Sequence, residues 1–156
     1  MIATTIPDFG DLELHHLVSD FNGTLAFDGM LLSGVARRLQ ELSRELTVHV
    51  LTADTFGLAQ QQLGGLPVKL TILPEEDQAE AKLRYVLTLG AEKTVAVGNG
   101  RNDRKMLAAA ALGLAVIQEE GGSTEAVLQS DVIVTSIHDA LDLLLSPARL
   151  KATLRS

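Results

Sequence analysis

Leu17-Val18-Ser19-Asp20-Phe21-Asn22-Gly23-Thr24 is the stretch on which the reading of this 156-residue chain turns. Residues 17–21 read as a short buried strand, and the turn-forming residues after it stop it. A helix-period segment follows, with Val35, Leu39, Leu42 and Leu46 on one face among Arg37, Arg38, Glu41 and Arg44. Outward from there the alternation repeats. Strands are predicted at 48–51, 68–73, 94–97, 114–117 and 132–134, and helices at 56–63, 102–111 and 140–145. Pro74-Glu75-Glu76-Asp77 is predicted to open a further helix, because proline suits a first turn and acids suit its positive end, and Ala79, Lys82, Leu83, Val86 and Leu87 then share a face. Strand and helix alternating through most of the chain, with no linker rich in Pro, Ser or Gly, is the pattern of βα units on a parallel sheet.

Composition sets the frame around that core. One domain, 1–156, is expected from the length. With 46% hydrophobic residues, 3% aromatics and no Trp, its interior must be Leu, Val, Ile and Ala. A net charge of -7 without a basic tract argues against nucleic acid as a partner. The absence of Cys excludes disulfides, thiolate metal sites and a cysteine nucleophile, so any metal must take oxygen or imidazole. No segment reads as a signal peptide or reaches the roughly 20 apolar residues of a membrane span, which leads to the expectation of a cytoplasmic protein with no membrane partner. Two hairpins are expected outside the βα units. One lies in an N-terminal extension, 1–16, turning through Asp8-Phe9-Gly10-Asp11; the other, 25–32, turns at Asp28-Gly29 and would project as a flap over the end of the first strand.

Residues able to do chemistry cluster at strand ends, where open α/β sheets bind ligands. Asp20, Asn22, Gly23 and Thr24 follow the first strand, Thr52 the second, and Gly98-Asn99-Gly100-Arg101-Asn102-Asp103 the fourth, while Lys82 sits on a helix. They supply carboxylate, hydroxyl, ammonium and glycine-freed amides, a set suited to a divalent cation and a phosphoryl group. Competing signals fail. Gly98-x-Gly100 has Asp103 where a dinucleotide fingerprint needs glycine, and the start of a calcium loop at Asp20 meets Leu25 and Leu31 where Gly and Glu are required. His15 and His16, adjacent on a strand, are read as structural.

These motifs together resemble the haloacid dehalogenase (HAD) superfamily of aspartyl-phosphate-forming hydrolases, in its soluble P-type-ATPase-like branch, over roughly residues 17–135. The resemblance implies a Rossmann-like three-layer α/β/α sandwich with a parallel central sheet and, given the short connections, no cap domain. It implies Asp20 as nucleophile, Lys82 as the charge-neutralising base, and Gly23, Thr52, Ala53, Lys82 and Asn102 as phosphate-binding residues. Mg²⁺ would be held by Asp20, the main-chain carbonyl of Asn22, Asn99 and Asp103. Two positions depart from the family. Asn22 stands where hydrolases carry the general acid/base Asp, whose help is worth about 10²–10⁴-fold, so slow turnover is expected. Asn99 replaces a metal-binding Asp and lowers the charge available to the cation. The implied substrate is a phosphorylated small molecule or phosphoprotein. A homo-oligomer is admitted, since a neighbouring copy could supply specificity residues that a capless site lacks. The rival reading is a catalytically weak or inactive phosphate- or metal-sensing module acting through protein partners.

Overall fold

The computed structural model describes every residue except Thr55. In chain order, β1 (Ile2–Ile6) and β2 (Gly10–Leu14) form an antiparallel hairpin, β3 (His16–Asp20) enters the main sheet, and β4 (Ala26–Phe27) with β5 (Met30–Leu31) makes a second small hairpin. Then come α1 (Val35–Leu42), β6 (Thr47–Thr52), α2 (Leu58–Leu63), β7 (Val68–Ile72), α3 (Gln78–Leu89), β8 (Thr94–Gly98) and α4 (Arg104–Ala109). The chain continues through β9 (Leu112–Val116), α5 (Thr124–Gln129), β10 (Val132–Val134), α6 (Ile137–Leu145) and α7 (Pro147–Leu154).

Six strands pair in parallel in the order β10-β9-β8-β3-β6-β7. Because β3 is followed by β6 and β7 on one side and by β8, β9 and β10 on the other, the direction of winding reverses between β3 and β8. A crevice opens there, beyond the carboxyl ends of both strands. Successive residues of each strand face opposite layers, so Leu17, Val48, Val50, Val95 and Val97 join the core under α1, α2 and α6, while Val18, Leu51 and Ala96 join the core under α3, α4 and α5. This is the three-layer α/β/α sandwich expected, with antiparallel hairpins at β1–β2 and β4–β5 and Asp28 and Gly29 at positive φ in the turn of the second. No helix among the described residues is long and apolar enough to cross a membrane.

Several local readings are corrected. Residues 74–77 do not open α3; Asp77 adopts a left-handed conformation and the helix starts at Gln78. Leu73 still donates to Thr52 O at 2.7 Å, so the chain must first leave the sheet edge before it can coil. The helix expected at 102–111 is a 3₁₀ turn, Arg101–Asp103, followed by α4. Neither α5 nor α7 was expected. Pro147 ends α6 but also stands at the first turn of α7, where its missing N–H costs nothing.

Candidate active site

The crevice holds about 410 Å³ and is lined by Asp20 and Asn22 from the end of β3, Thr52 and Ala53 from β6, and Asn99 and Asn102 after β8. Asp20 is only 8% exposed and Lys82 and Asp103 are fully buried. Lys82 reaches from α3 to donate to Asp20 Oδ1 at 2.8 Å and to Asp103 Oδ1 at 2.7 Å. The lone lysine of the sequence reading is therefore the centre of a carboxylate–ammonium–carboxylate cluster. Burial would by itself push the Lys82 ammonium down, but the two carboxylates hold it above its ordinary value. Asp20 is pushed up to about 7, first by burial and then by the negative charge of Asp103, with Lys82 pulling the other way. Both shifts have one origin, a cluster carrying one negative charge too many for a dry site. Asp20 Oδ2 is left without a hydrogen-bonding side chain among the described residues.

Asp103 does not face the crevice as a metal ligand, which corrects that expectation. Its Oδ2 accepts the main-chain N–H groups of Asn99 at 3.0 Å and Gly100 at 2.9 Å while Oδ1 accepts Lys82, so both oxygens are engaged and the side chain is fully buried off the crevice lining. It fixes Lys82 and the 98–100 turn instead. This close approach needs Gly98, since a Cβ there would lie 2.5 Å from the Asp103 carboxyl carbon.

The loop after β3 is wound on Phe21 O, which accepts the amides of Thr24, Leu25 and Ala26 at 3.2, 2.9 and 3.0 Å. Gly23 donates to Ala26 O at 2.8 Å, so its amide is not free to bind phosphate; this too corrects the reading. What Gly23 provides is space, because a Cβ on it would fall 2.7 and 2.9 Å from Asn99 Nδ2 and Oδ1, and on Glu120 Oε2. Asn22 is exposed and its Oδ1 accepts the Gly29 N–H of the flap at 3.0 Å, while neither its amide nor its carbonyl meets a protein partner among the described residues. Asn99 is anchored on both sides: Thr24 donates to its Oδ1 at 3.2 Å and its Nδ2 donates to Gly121 O at 3.0 Å. Thr52 is buried and its Oγ1 accepts the Asp54 N–H at 3.3 Å, leaving its proton to donate. Asn102 spends an amide hydrogen on Gln78 Oε1 at 2.8 Å. Asp54 caps the start of α2 through Phe56 N and Ala59 N, and Arg101 pairs with Glu125 on the surface.

Sequence reasoning missed two residues. Gln118 donates to Gly23 O and Thr24 O at 3.3 and 3.0 Å, and Glu120 lines the crevice. Neither carried a signal, whereas Thr24, which holds Asn99, was read as part of the motif beside Asn22-Gly23.

A divalent cation fits this donor set. Among the described residues no three His, Cys, Asp or Glu side chains form a metal cage, but Asp20 Oδ2, the unpaired Asn22 carbonyl and Asn99 Oδ1 are hard oxygen donors on residues that line one crevice. One or two carboxylates plus waters is the usual protein provision for Mg²⁺.

No protein-family model matches the chain. Its fold is that of solved HAD-superfamily structures, and among the described residues no cap domain is inserted into it. The chain belongs to the same family as the uncharacterized protein MJ0073 of Methanocaldococcus jannaschii, to which it is 48% identical over 79 residues, 48% of this chain and 85% of the relative. Among solved structures, the 3-deoxy-D-manno-octulosonate 8-phosphate phosphatase of Moraxella catarrhalis, in complex with magnesium, phosphate and KDO, superposes with a TM-score of 0.72 at 16% identity, over 90% of this chain and 93% of that one. A zinc-transporting PIB-type ATPase in its E2.Pi state superposes with a TM-score of 0.62 at 27% identity, over 80% of this chain but only 20% of the ATPase.

Proposed function

We propose that this chain is a Mg²⁺-dependent phosphohydrolase or phosphotransferase that carries the phosphoryl group on Asp20. The observation that carries the reading is the wholly buried Lys82 donating to a carboxylate at the end of the central strand, with Asp103 holding the lysine from below. Asp20, the Asn22 carbonyl and Asn99 would hold the cation, which when bound neutralises phosphoryl charge. In the first step an Asp20 oxygen forms a bond to phosphorus while the bond to the leaving oxygen breaks, and that oxygen takes up a proton. Water then attacks phosphorus, inorganic phosphate leaves, a proton is released and the Asp20 carboxylate returns. Thr52 and the amides of Asn22 and Ala53 hold the phosphoryl oxygens. The substrate class is a small phosphorylated molecule or phosphoprotein.

Asn22 cannot exchange a proton, and its carboxamide is built into the flap through Gly29, so the second step is slow. With acetyl phosphate and Mg²⁺, intact-mass measurement should find one added phosphoryl group on the wild type and none on Asp20→Asn. Asn22→Asp keeps an acceptor for Gly29 and should speed loss of the label by about 10²–10⁴-fold. A wild type that never labels, with an Asn22→Asp variant that hydrolyses no phosphoester, would replace this reading by the binding-module one.

A further inference from the structure

Past the end of β9 the chain makes a tight turn in which Gly121 N donates to Gln118 O at 2.9 Å, putting Glu119 and Glu120 at its two central positions. Both ends of the turn are fastened to the crevice. Gln118 donates to the carbonyls of Gly23 and Thr24 and accepts the Ile137 N–H at 2.9 Å, while Gly121 O receives Asn99 Nδ2 and Ser123 N donates to Asn99 O at 2.8 Å. An exposed glutamate is ordinarily a solvated surface charge. Glu120 differs in that its backbone is fixed against both loops of the site. Its Oε2 and the Asn99 carboxamide converge on the one point that a Cβ of Gly23 would occupy, and among the described residues it joins no ion pair.

Resting on the reading of a cation site at Asp20, we infer that Glu120 is a metal-site residue, the carboxylate that supplies the charge Asn99 lacks. The buried cluster of Asp20, Asp103 and Lys82 carries one net negative charge, and Glu120 brings the site to two, the match for a divalent cation. Asn99 contributes a neutral oxygen whose orientation Thr24 and Gly121 set, and the carboxylate comes from the turn beside it. A hard cation accepts this division, since it requires oxygen ligands and charge but not that both come from one residue.

Calorimetric Mg²⁺ titration at about 0.15 M salt, where exposed charges are screened beyond about 8 Å, tests this directly. Glu120→Gln, isosteric and exposed, should keep the metal-free melting temperature and weaken Mg²⁺ by about tenfold or more. Adding Asn99→Asp to Glu120→Gln should restore affinity, and Glu119→Gln, the same charge change one residue away, should leave it within about twofold. Wild-type affinity in Glu120→Gln, or equal losses in Glu119→Gln and Glu120→Gln, would overturn the role of Glu120 while leaving the site in place. Wild-type affinity in Asp20→Asn, or no Mg²⁺ binding by the wild type, would instead remove the cation site itself.

Discussion

Two polar clusters lie under α3 against β3, one completed by the 3₁₀ turn after β8 and the other by β6, and they are built on opposite logic. Toward the carboxyl end of the strands, Lys82 joins Asp20 and Asp103. One helical turn along α3, Tyr85 reaches His49 Nδ1 with its hydroxyl at 2.9 Å, and His49 Nε2 meets His16 Nδ1 at 3.2 Å. In the histidine chain burial disfavours the charged imidazoles, and both ring nitrogens of His49 are used once. The Asp20 cluster is charged, unbalanced and open on one side, with an oxygen left for whatever enters the crevice. A buried polar group whose bonds close is part of the fold; one with surplus charge beside a cleft marks chemistry.

The sharpest way to break this contrast is to remove the cation from the open cluster. Lys82→Ala leaves Asp20 and Asp103 facing each other in a dry site, where loss of one partner of a buried ion pair costs about 3–5 kcal/mol. Phosphoryl labelling should vanish and urea unfolding should shift by that amount in metal-free protein. Lys82→Ala protein with wild-type stability would show that the cluster is better hydrated than its burial indicates.

The next test sets the clusters against each other by pH. His49 is lowered to about 4, chiefly by burial, so between about 6.5 and 4 the unfolded chain binds a proton the folded one refuses, and stability falls as pH falls. Asp20 works in the other direction. Its folded pKa near 7 lies above the unfolded value of 3.8, so the folded chain holds the extra proton and stability rises as pH falls through that window. In metal-free wild type the two oppose, so the slope of its unfolding free energy from pH 7 to 4 should lie between those of the two single variants. Asp20→Asn should expose the histidine loss, at most about 3 kcal/mol, and His49→Phe should expose a gain on acidification. Equal pH slopes in both variants would sink the assignment of opposite signs.

Much of the fold was legible because strand runs and helix periods are local. The buried strands 17–21 and 94–97, and the Asp28-Gly29 turn, need no knowledge of the rest of the chain. The ends of elements were less so, as at Asp77, where leaving a sheet edge outweighs the helical preference of Pro74 and Glu75. In the site, Asp20, Thr52 and Lys82 came from the motifs; the structure puts Asp20 and Thr52 on the crevice lining and Lys82 buried behind Asp20. Asp103 and Gly23 were misread because both had plausible chemistry and only the hydrogen bonds show it already spent. Glu120 lay outside any motif: its place depends on Gln118 and Gly121 meeting a loop 95 and 22 residues away, which no local pattern encodes. The histidines were read as structural, and the chain through His49 to Tyr85 is the form that takes, although His15 falls outside β3 and only His16 joins it.

The smallest effect sharpens the comparison from the surface side. The 3₁₀ turn that carries Asp103 is held by two ion pairs, Lys82–Asp103 at 2.7 Å with both side chains fully buried, and Arg101–Glu125 at 2.9 Å with side chains 71% and 50% exposed. Glu125 also meets Arg104 at 3.2 Å, so Glu125→Gln weakens two surface pairs at once. Solvent screens both, and exposed pairs of this kind contribute about 0.2–1 kcal/mol. Glu125→Gln should therefore move the urea midpoint slightly, lose even that effect at high salt, and leave acetyl phosphate labelling of Asp20 unchanged. A loss of labelling in this variant would mean that the turn is positioned from the surface and not by the buried lysine, and the division between open and closed clusters would have to be redrawn around Arg101.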